Sequence, residues 1–159
     1  MKRLAILAAG IALLVIVSPL PAAAAGTAVT GAGGGVFPPG TLYSGVRLDG
    51  LRFGMGVAVA GGGSAEGPFQ TTLIGVSALG QPQYIQVEGN ASGGSAGTGT
   101  AAFSGSCSID MGDGTLPVQN VPFTVTVTTN QEDRGTLGLV LGLTSLPAAT
   151  VNEGSMTIQ

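Results

Sequence analysis

Ala101-Ala102-Phe103-Ser104-Gly105-Ser106-Cys107-Ser108-Ile109-Asp110-Met111 is the clearest alternation of side chains in this sequence. The odd-numbered positions are mostly apolar, among them Phe103, Cys107 and Ile109, whereas the even-numbered positions are mostly serine. A period of two residues is typical of a β-strand that buries one face and exposes the other to water. The stretch therefore predicts an amphipathic strand with Cys107 on its buried face.

The same alternation recurs along the chain, and no segment has the period of 3.6 residues that is typical of a helix. Together with residues 101–111, four strongly alternating segments and three weaker ones predict about eight strands. The strong cases are residues 51–59, 85–87, 123–128 and 137–143, and the weaker cases are 42–48, 69–79 and 155–159.

Turn signals separate these runs. Asp49-Gly50 has the composition of a two-residue hairpin turn, and glycine- or asparagine-rich stretches at 61–64, 89–97, 112–114, 130–135 and 152–154 have the composition of loops. Short links between successive strands favour antiparallel neighbours. We therefore predict an all-β fold, with an antiparallel β-sandwich as the favoured architecture and a closed up-and-down β-barrel as the alternative.

Residues 1–25 have the three parts of a secretory signal peptide. Lys2 and Arg3 precede the apolar run Leu4–Val17, and small residues follow it. The run of 14 residues is too short to span a bilayer comfortably. We predict cleavage near Ala23 or Ala25, a secreted, extracellular or periplasmic location, and no membrane span after the signal is removed.

The remaining chain is expected to form one domain. Residues 26–40 are rich in glycine and proline and carry no charge, so we predict a flexible lead-in there. Residues 41–159 then form a single all-β domain, which is long enough to bury a core without obligatory disulfides or metals.

The charge balance excludes one class of partner. All eight acidic residues, but only three of the five basic ones, lie after residue 25, which leaves a formal charge of −5. The three basic residues are Arg47, Arg52 and Arg134, and they are not clustered in the sequence. Binding to nucleic acid requires a basic face, so we expect no nucleic-acid partner.

The side-chain inventory argues against catalysis. The chain has no histidine, and its only lysine lies in the predicted signal peptide, so a serine or cysteine nucleophile would lack its usual activating base. We therefore expect a non-enzymatic protein with no catalytic residues and no cofactor. A carboxylate-dependent hydrolase is the remaining enzymatic alternative, and its candidate carboxylates are Glu66, Glu88 and Asp110.

Two questions about single residues stay open at this level. Cys107 is the only cysteine, so in an oxidising compartment it is either buried or pairs with another chain, and its place on an apolar face favours burial. Asp110 and Asp113 flank a Met-Gly turn and supply carboxylate oxygens of the kind that calcium binds. Two carboxylates do not fill its coordination shell, so we assign no metal site.

These observations favour an exported, non-catalytic module that acts by binding in the extracellular space or the cell envelope. Its expected partner is a protein or an envelope surface, with self-association left open. It would use the threonine- and glycine-rich sheet face that carries Thr124, Thr126 and Thr128, or an exposed sheet edge. The alternative is a β-barrel that carries a small apolar ligand.

Overall fold

The computed structural model describes residues 26–130, 132 and 134–159. The predicted signal peptide and its cleavage positions lie outside these residues. The described part of the chain is all β and contains no helix. Its strands are β1 (Thr27–Val36), β2 (Leu42–Tyr43), β3 (Val46–Val59), β4 (Ser64–Val76), β5 (Pro82–Gly97), β6 (Thr100–Asp110), β7 (Val118–Thr129), β8 (Gly135–Leu141) and β9 (Thr144–Ile158).

The strands form one closed antiparallel barrel. Each strand from β3 to β9 pairs with the next along the chain, and β1 closes the sheet by pairing with both β9 and β3. Gly31, for example, pairs with Met55 on β3 and with Met156 on β9. The two-residue β2 pairs only with the first residues of β3. Eight strands therefore make the wall of the barrel.

This topology confirms the all-β antiparallel fold and, of the two predicted architectures, the closed barrel. The favoured sandwich is not formed, because the hydrogen-bonded ladder runs without interruption from one strand to the next and divides nowhere into two sheets. Closure also gives each of the eight wall strands of the described chain a partner on both sides. The expected exposed edge is therefore limited to the two-residue β2, which pairs with β3 alone.

The apolar faces of the strands point into the barrel and meet in a filled core. Phe69, Phe103 and Phe123 form a cluster at its centre, with ring centroids 5.5–6.3 Å apart. Cys107 is 4% exposed beside them, which confirms its predicted burial. An eight-stranded barrel has an interior that side chains can fill, and large aromatic rings fill the middle of this one.

The prediction of a flexible lead-in over residues 26–40 is wrong, because Thr27–Val36 is a full strand with two partners. The glycines that suggested flexibility instead allow close strand packing. A Cβ atom on Gly33 would collide with the carbonyl oxygen of Glu153 on β9. Glycine at this position is therefore a requirement of barrel closure.

Three of the predicted turns are also wrong. Asp49-Gly50 lies within β3, where the register shifts between Leu48 and Gly50 at a bulge. The Asp49 carbonyl accepts a hydrogen bond from the Phe37 amide at 3.1 Å instead of closing a hairpin. Residues 89–97 and 152–154 lie within β5 and β9. In each case the glycines belong to long strands, and the register shifts at or opposite them, as at a β-bulge.

The antiparallel order places the connections alternately at the two ends of the barrel. Residues 37–45, 77–81, 111–117 and 142–143 lie at one end. We call it the leucine end because these connections contain Leu42, Leu79, Leu116 and Leu143. Residues 60–63, 98–99, 130, 132 and 134 lie at the other end, together with Gly26 and Gln159. We call this second end the terminal end.

Candidate functional site

Each of the four connections at the leucine end carries one exposed leucine. Leu42 is 61% exposed, Leu79 is 88% exposed, and Leu116 is 90% exposed. Leu143, in the two-residue turn between β8 and β9, is 105% exposed. A folded chain gains nothing from leucines that point into water, so this ring of four is unexplained by folding alone.

The other exposed large hydrophobic residues of the described chain lie at the same end. Val36 is the last residue of β1, Val118 is the first of β7, and Tyr84 is the third of β5. The connections at the terminal end are built instead from glycine, alanine, threonine and polar residues. The barrel therefore has one apolar end and one polar end, and an apolar concentration of this kind marks an interaction site.

Local hydrogen bonds hold the leucine-bearing turns in shape. In the β4–β5 connection the amide of Gly80 donates to the Ser77 carbonyl at 2.9 Å, and Ser77 is further bonded to Gln81. In the β8–β9 connection the Gly142 amide donates to the Pro122 carbonyl at 2.8 Å. Gly80 and Gly142 both have positive φ, which glycine adopts without strain. Leu79 and Leu143 are therefore presented by ordered turns.

The connection that carries Leu116 is shaped by the two aspartates considered above for calcium. Asp110 Oδ1 accepts a hydrogen bond from the Gly112 amide at 2.8 Å. Asp113 Oδ1 accepts from the Thr115 amide at 3.0 Å and from the Thr115 hydroxyl at 2.6 Å. The two bonds from Thr115, chiefly the one from its hydroxyl, lower the pKa of the Asp113 carboxyl. In the described chain no group of three or more His, Cys, Asp or Glu side chains could hold a metal ion.

An apolar cleft opens between the leucine-bearing turns. It has a volume of about 310 Å³ and is lined mainly by Tyr43, Ile109, Met111, Val118, Val121 and Leu141. Tyr43 lines the cleft, is 8% exposed and belongs to the hydrophobic core. Burial raises the pKa of the Tyr43 phenol, and a negative charge on Cys107 would raise it further.

The charged groups near the leucine end are mostly acidic. Asp49, Asp110 and Asp113 lie near this end, and Arg47 is its nearest cation. Arg47, Asp49 and Asp113 are exposed to solvent. Arg52, Thr72, Gln86 and Asp110 are register partners on β3 to β6, and they form a polar row on the outer wall beyond the row of Ile74 and Tyr84.

The residues singled out from the sequence lie mostly on the outer wall. Thr126 and Thr128 are exposed there and Thr124 is half-buried, as expected for the outward face of β7. Glu66, Glu88 and Asp110 lie on three different strands, and Glu88 is exposed. The structure does not gather these carboxylates into an enclosed cleft, as a glycosidase pair would require.

A second candidate is a shallow polar groove of about 710 Å³ on the wall formed by β4 to β7. Gln70, Glu88, Asn90 and Asn120 are among its lining residues, and Asn120 has a positive φ of 58°. The groove is wide open and has no exposed aromatic ring or buried charge to orient a ligand. The leucine end is therefore the better-defined site.

Sequence reasoning missed the leucine end for two reasons. Leu79 and Leu143 were placed at the ends of the predicted strands 69–79 and 137–143, but β4 ends at Val76 and β8 at Leu141, so both leucines lie in turns. The second reason is topological. That the turns carrying Leu79, Leu116 and Leu143 lie at the same end follows only from the strand order. An up-and-down barrel places alternate turns together, whereas the favoured sandwich did not imply this.

No family model matches this chain, and no curated protein or solved structure shows significant similarity to it. Across the described residues, no helix is long and apolar enough to cross a membrane.

Proposed function

We propose that the chain is an exported, non-catalytic binding module that acts through the leucine end of its barrel in the extracellular space or the cell envelope. The observation that carries this proposal is the placement of one exposed leucine on every connection at one end. Exposed apolar surface costs solubility, so it is expected where a partner covers it.

Export is supported by the sequence of residues 1–25. The absence of histidine and the scattered carboxylates support a non-catalytic role. Mass spectrometry of the protein recovered after export tests the first point. A processed N-terminus at residue 24 or 26 is expected, and an intact N-terminus on the exported protein would contradict it.

The binding role is tested with a variant that replaces Leu42, Leu79, Leu116 and Leu143 by serine. We expect the unsubstituted protein to self-associate in sedimentation velocity or to co-sediment with washed cell envelopes. The serine variant is expected to lose that binding while its circular dichroism stays unchanged. The matched control, Thr126→Ala with Thr128→Ala on the outer wall, should keep it.

Three results would contradict the proposal. The first is a protein that stays monomeric and binds no envelope material. The second is binding that survives the loss of all four leucines and fails in the threonine variant, which would move the site to the outer wall. The third is turnover of a glycoside or ester substrate by the purified protein, which would restore the hydrolase alternative.

A carrier of a small apolar ligand is a second candidate, favoured by the apolar cleft beside Tyr43. Because Phe69, Phe103 and Phe123 occupy the centre of the barrel, such a ligand would have to bind at the mouth. Native mass spectrometry of gently extracted protein tests this. A bound small molecule that is lost in Val121→Asp would support a carrier, and ligand-free protein would oppose it.

A further inference from the structure

We propose that the leucine end inserts its four leucines into the surface of a lipid bilayer of low net charge, of which phosphatidylcholine is the model. This inference rests on the proposed function, because it names the partner of the same end. The barrel would stand on the membrane with its wall in water and only its turn tips among the acyl chains.

The first argument is the separation of the leucines. They lie between β1 and β3, β4 and β5, β6 and β7, and β8 and β9, which are alternate gaps around the barrel. Leu79, Leu116 and Leu143 are at least 88% exposed, so each projects with little contact to its own protein. The acyl-chain region of a bilayer is deformable, so it can take up four separate leucine side chains whatever their spacing. A protein partner would need a matching pocket for each leucine.

The second argument is charge. Asp49, Asp110 and Asp113 lie near this end, and the basic groups at the same level are Arg47 and Arg52, which shares a register row with Asp110. A second copy docked end to end would bring two such acidic sets together, and an anionic membrane would repel them as well. A bilayer of zwitterionic lipid imposes neither cost. The same end also lacks the lysine and arginine clusters that bind anionic lipid.

The third argument is the depth that the structure allows. The residues flanking Leu79, Leu116 and Leu143 are alanine, glycine, threonine and proline, which are uncharged, and the charge in the Leu116 connection is the carboxylate of Asp113 bonded to Thr115. Behind the turns comes an outward-facing row with Ile74 and Tyr84, and behind that row lies the polar one that contains Arg52, Gln86 and Asp110. This row limits insertion to the turn tips, as in interfacial rather than spanning attachment.

The chain has no tryptophan, so a single introduced tryptophan reports on its own surroundings. The test uses residues 26–159, which contain every strand of the closed barrel. Leu116→Trp and Leu143→Trp place the reporter at the leucine end, and Thr98→Trp places the matched control at the terminal end. Each protein is mixed with phosphatidylcholine vesicles, with vesicles containing phosphatidylglycerol, and with no lipid.

We expect emission from Leu116→Trp and Leu143→Trp to shift to the blue with phosphatidylcholine and to be quenched by brominated acyl chains, while Thr98→Trp stays unchanged. Binding should be insensitive to salt and weaker on phosphatidylglycerol. In vesicle sedimentation the variant with four serines should bind more than about tenfold more weakly, because each leucine contributes buried apolar area.

Other results overturn the inference without overturning the proposed function. If neither vesicle binds but the serine variant still loses envelope binding, the leucine end recognises a protein. If the serine substitutions abolish a dimer and no vesicle binds, the partner is a second copy. Binding to phosphatidylglycerol alone, lost in salt, also contradicts the inference. If the four serines change nothing in any assay, both proposals fail.

Discussion

Gly89 on β5 lies directly beside the ring of Phe123 on β7, although β6 stands between the two strands. A Cβ atom on Gly89 would lie 2.8 Å from Phe123 Cε1 and 2.8 Å from Cys107 Cβ. The backbone partner of Phe123 is Gly105, which also has no side chain. Gly89 therefore leaves the space that lets the ring reach across β6, whereas a Cβ on Gly105 would collide with the Asn90 carbonyl oxygen on β5.

Gly89→Ala is expected to destabilise the protein by about 1–3 kcal/mol, because the added methyl group overpacks a filled core. Equilibrium unfolding in urea measures the change. Gly56→Ala is the matched control, since Gly56 lies within β3 but a Cβ there meets no atom within 4 Å. It should be neutral or slightly stabilising, because alanine restricts the unfolded chain more than glycine does.

The double variant Gly89→Ala with Phe123→Leu separates this explanation from a general effect of alanine in β5. If the clash with the ring is the cause, the double variant should lose less free energy of unfolding than the two single variants lose in sum. Strict additivity, or a stability of Gly89→Ala equal to that of Gly56→Ala, would contradict the packing relationship.

The sequence predicts the inward and outward faces of this barrel well, because alternation is a local property. Phe103, Cys107 and Ile109 were assigned to the buried face, and each is at most 4% exposed. Phe123 and Leu139 follow the same rule. A buried face is fixed by its own residues wherever the strand lies in the sheet, so such predictions need no topology.

Glycine-rich segments were misread because glycine has two opposite uses. At Gly62 and Gly80 it supplies the positive φ of a turn. At Gly33 and Gly89 it supplies room for a neighbouring strand or ring. Composition alone does not separate these uses, so β1 was predicted as a flexible lead-in and part of β5 as a turn. Barrel closure and the leucine end depend on those long-range pairings.

Because Cys107 is buried, we expect the stability of the protein to fall at alkaline pH. Burial raises the pKa of its thiol, so the folded state keeps the proton at pH values where the unfolded chain loses it. The free energy of unfolding should therefore decrease as the pH rises above about 8.5, the ordinary thiol pKa. Tyr43, whose pKa is also raised, should steepen the decrease above about pH 10.

Urea unfolding from pH 7 to pH 10 checks this, with Cys107→Ala as the variant that removes the thiol. The decrease between about pH 8.5 and 9.5 should flatten in Cys107→Ala and persist in Tyr43→Phe. An identical pH profile in the alanine variant would show that the thiol is not responsible. Native Cys107 should also react slowly with an aromatic disulfide reagent and quickly in urea.

Thr71 is one of the two buried polar residues in the described chain, and its hydroxyl is satisfied within the barrel. Thr71 Oγ1 donates a hydrogen bond to the Arg52 carbonyl on β3 at 2.8 Å. Thr71→Val keeps the shape and removes the donor, so we expect a loss of about 1 kcal/mol. Thr72→Val, on the outer face one residue later, should stay within about 0.5 kcal/mol of the parent. Equal losses in both variants would point to strand propensity.

Thr115 shapes the connection that presents Leu116, and its effect is measurable at Asp113. The Thr115 hydroxyl is the main cause of the lowered pKa of the Asp113 carboxyl, and the Thr115 amide adds to it. Thr115→Val should therefore raise that pKa part of the way toward about 3.9, whereas Thr115→Ser should leave it low. Carbon-detected NMR titration of the Asp113 carboxyl measures both. The bond from the Thr115 hydroxyl to Asp113 holds the exposed turn, so Thr115→Val should also broaden the Leu116 methyl resonances. Sharp, unshifted methyl signals would show that the turn keeps its shape without the hydroxyl.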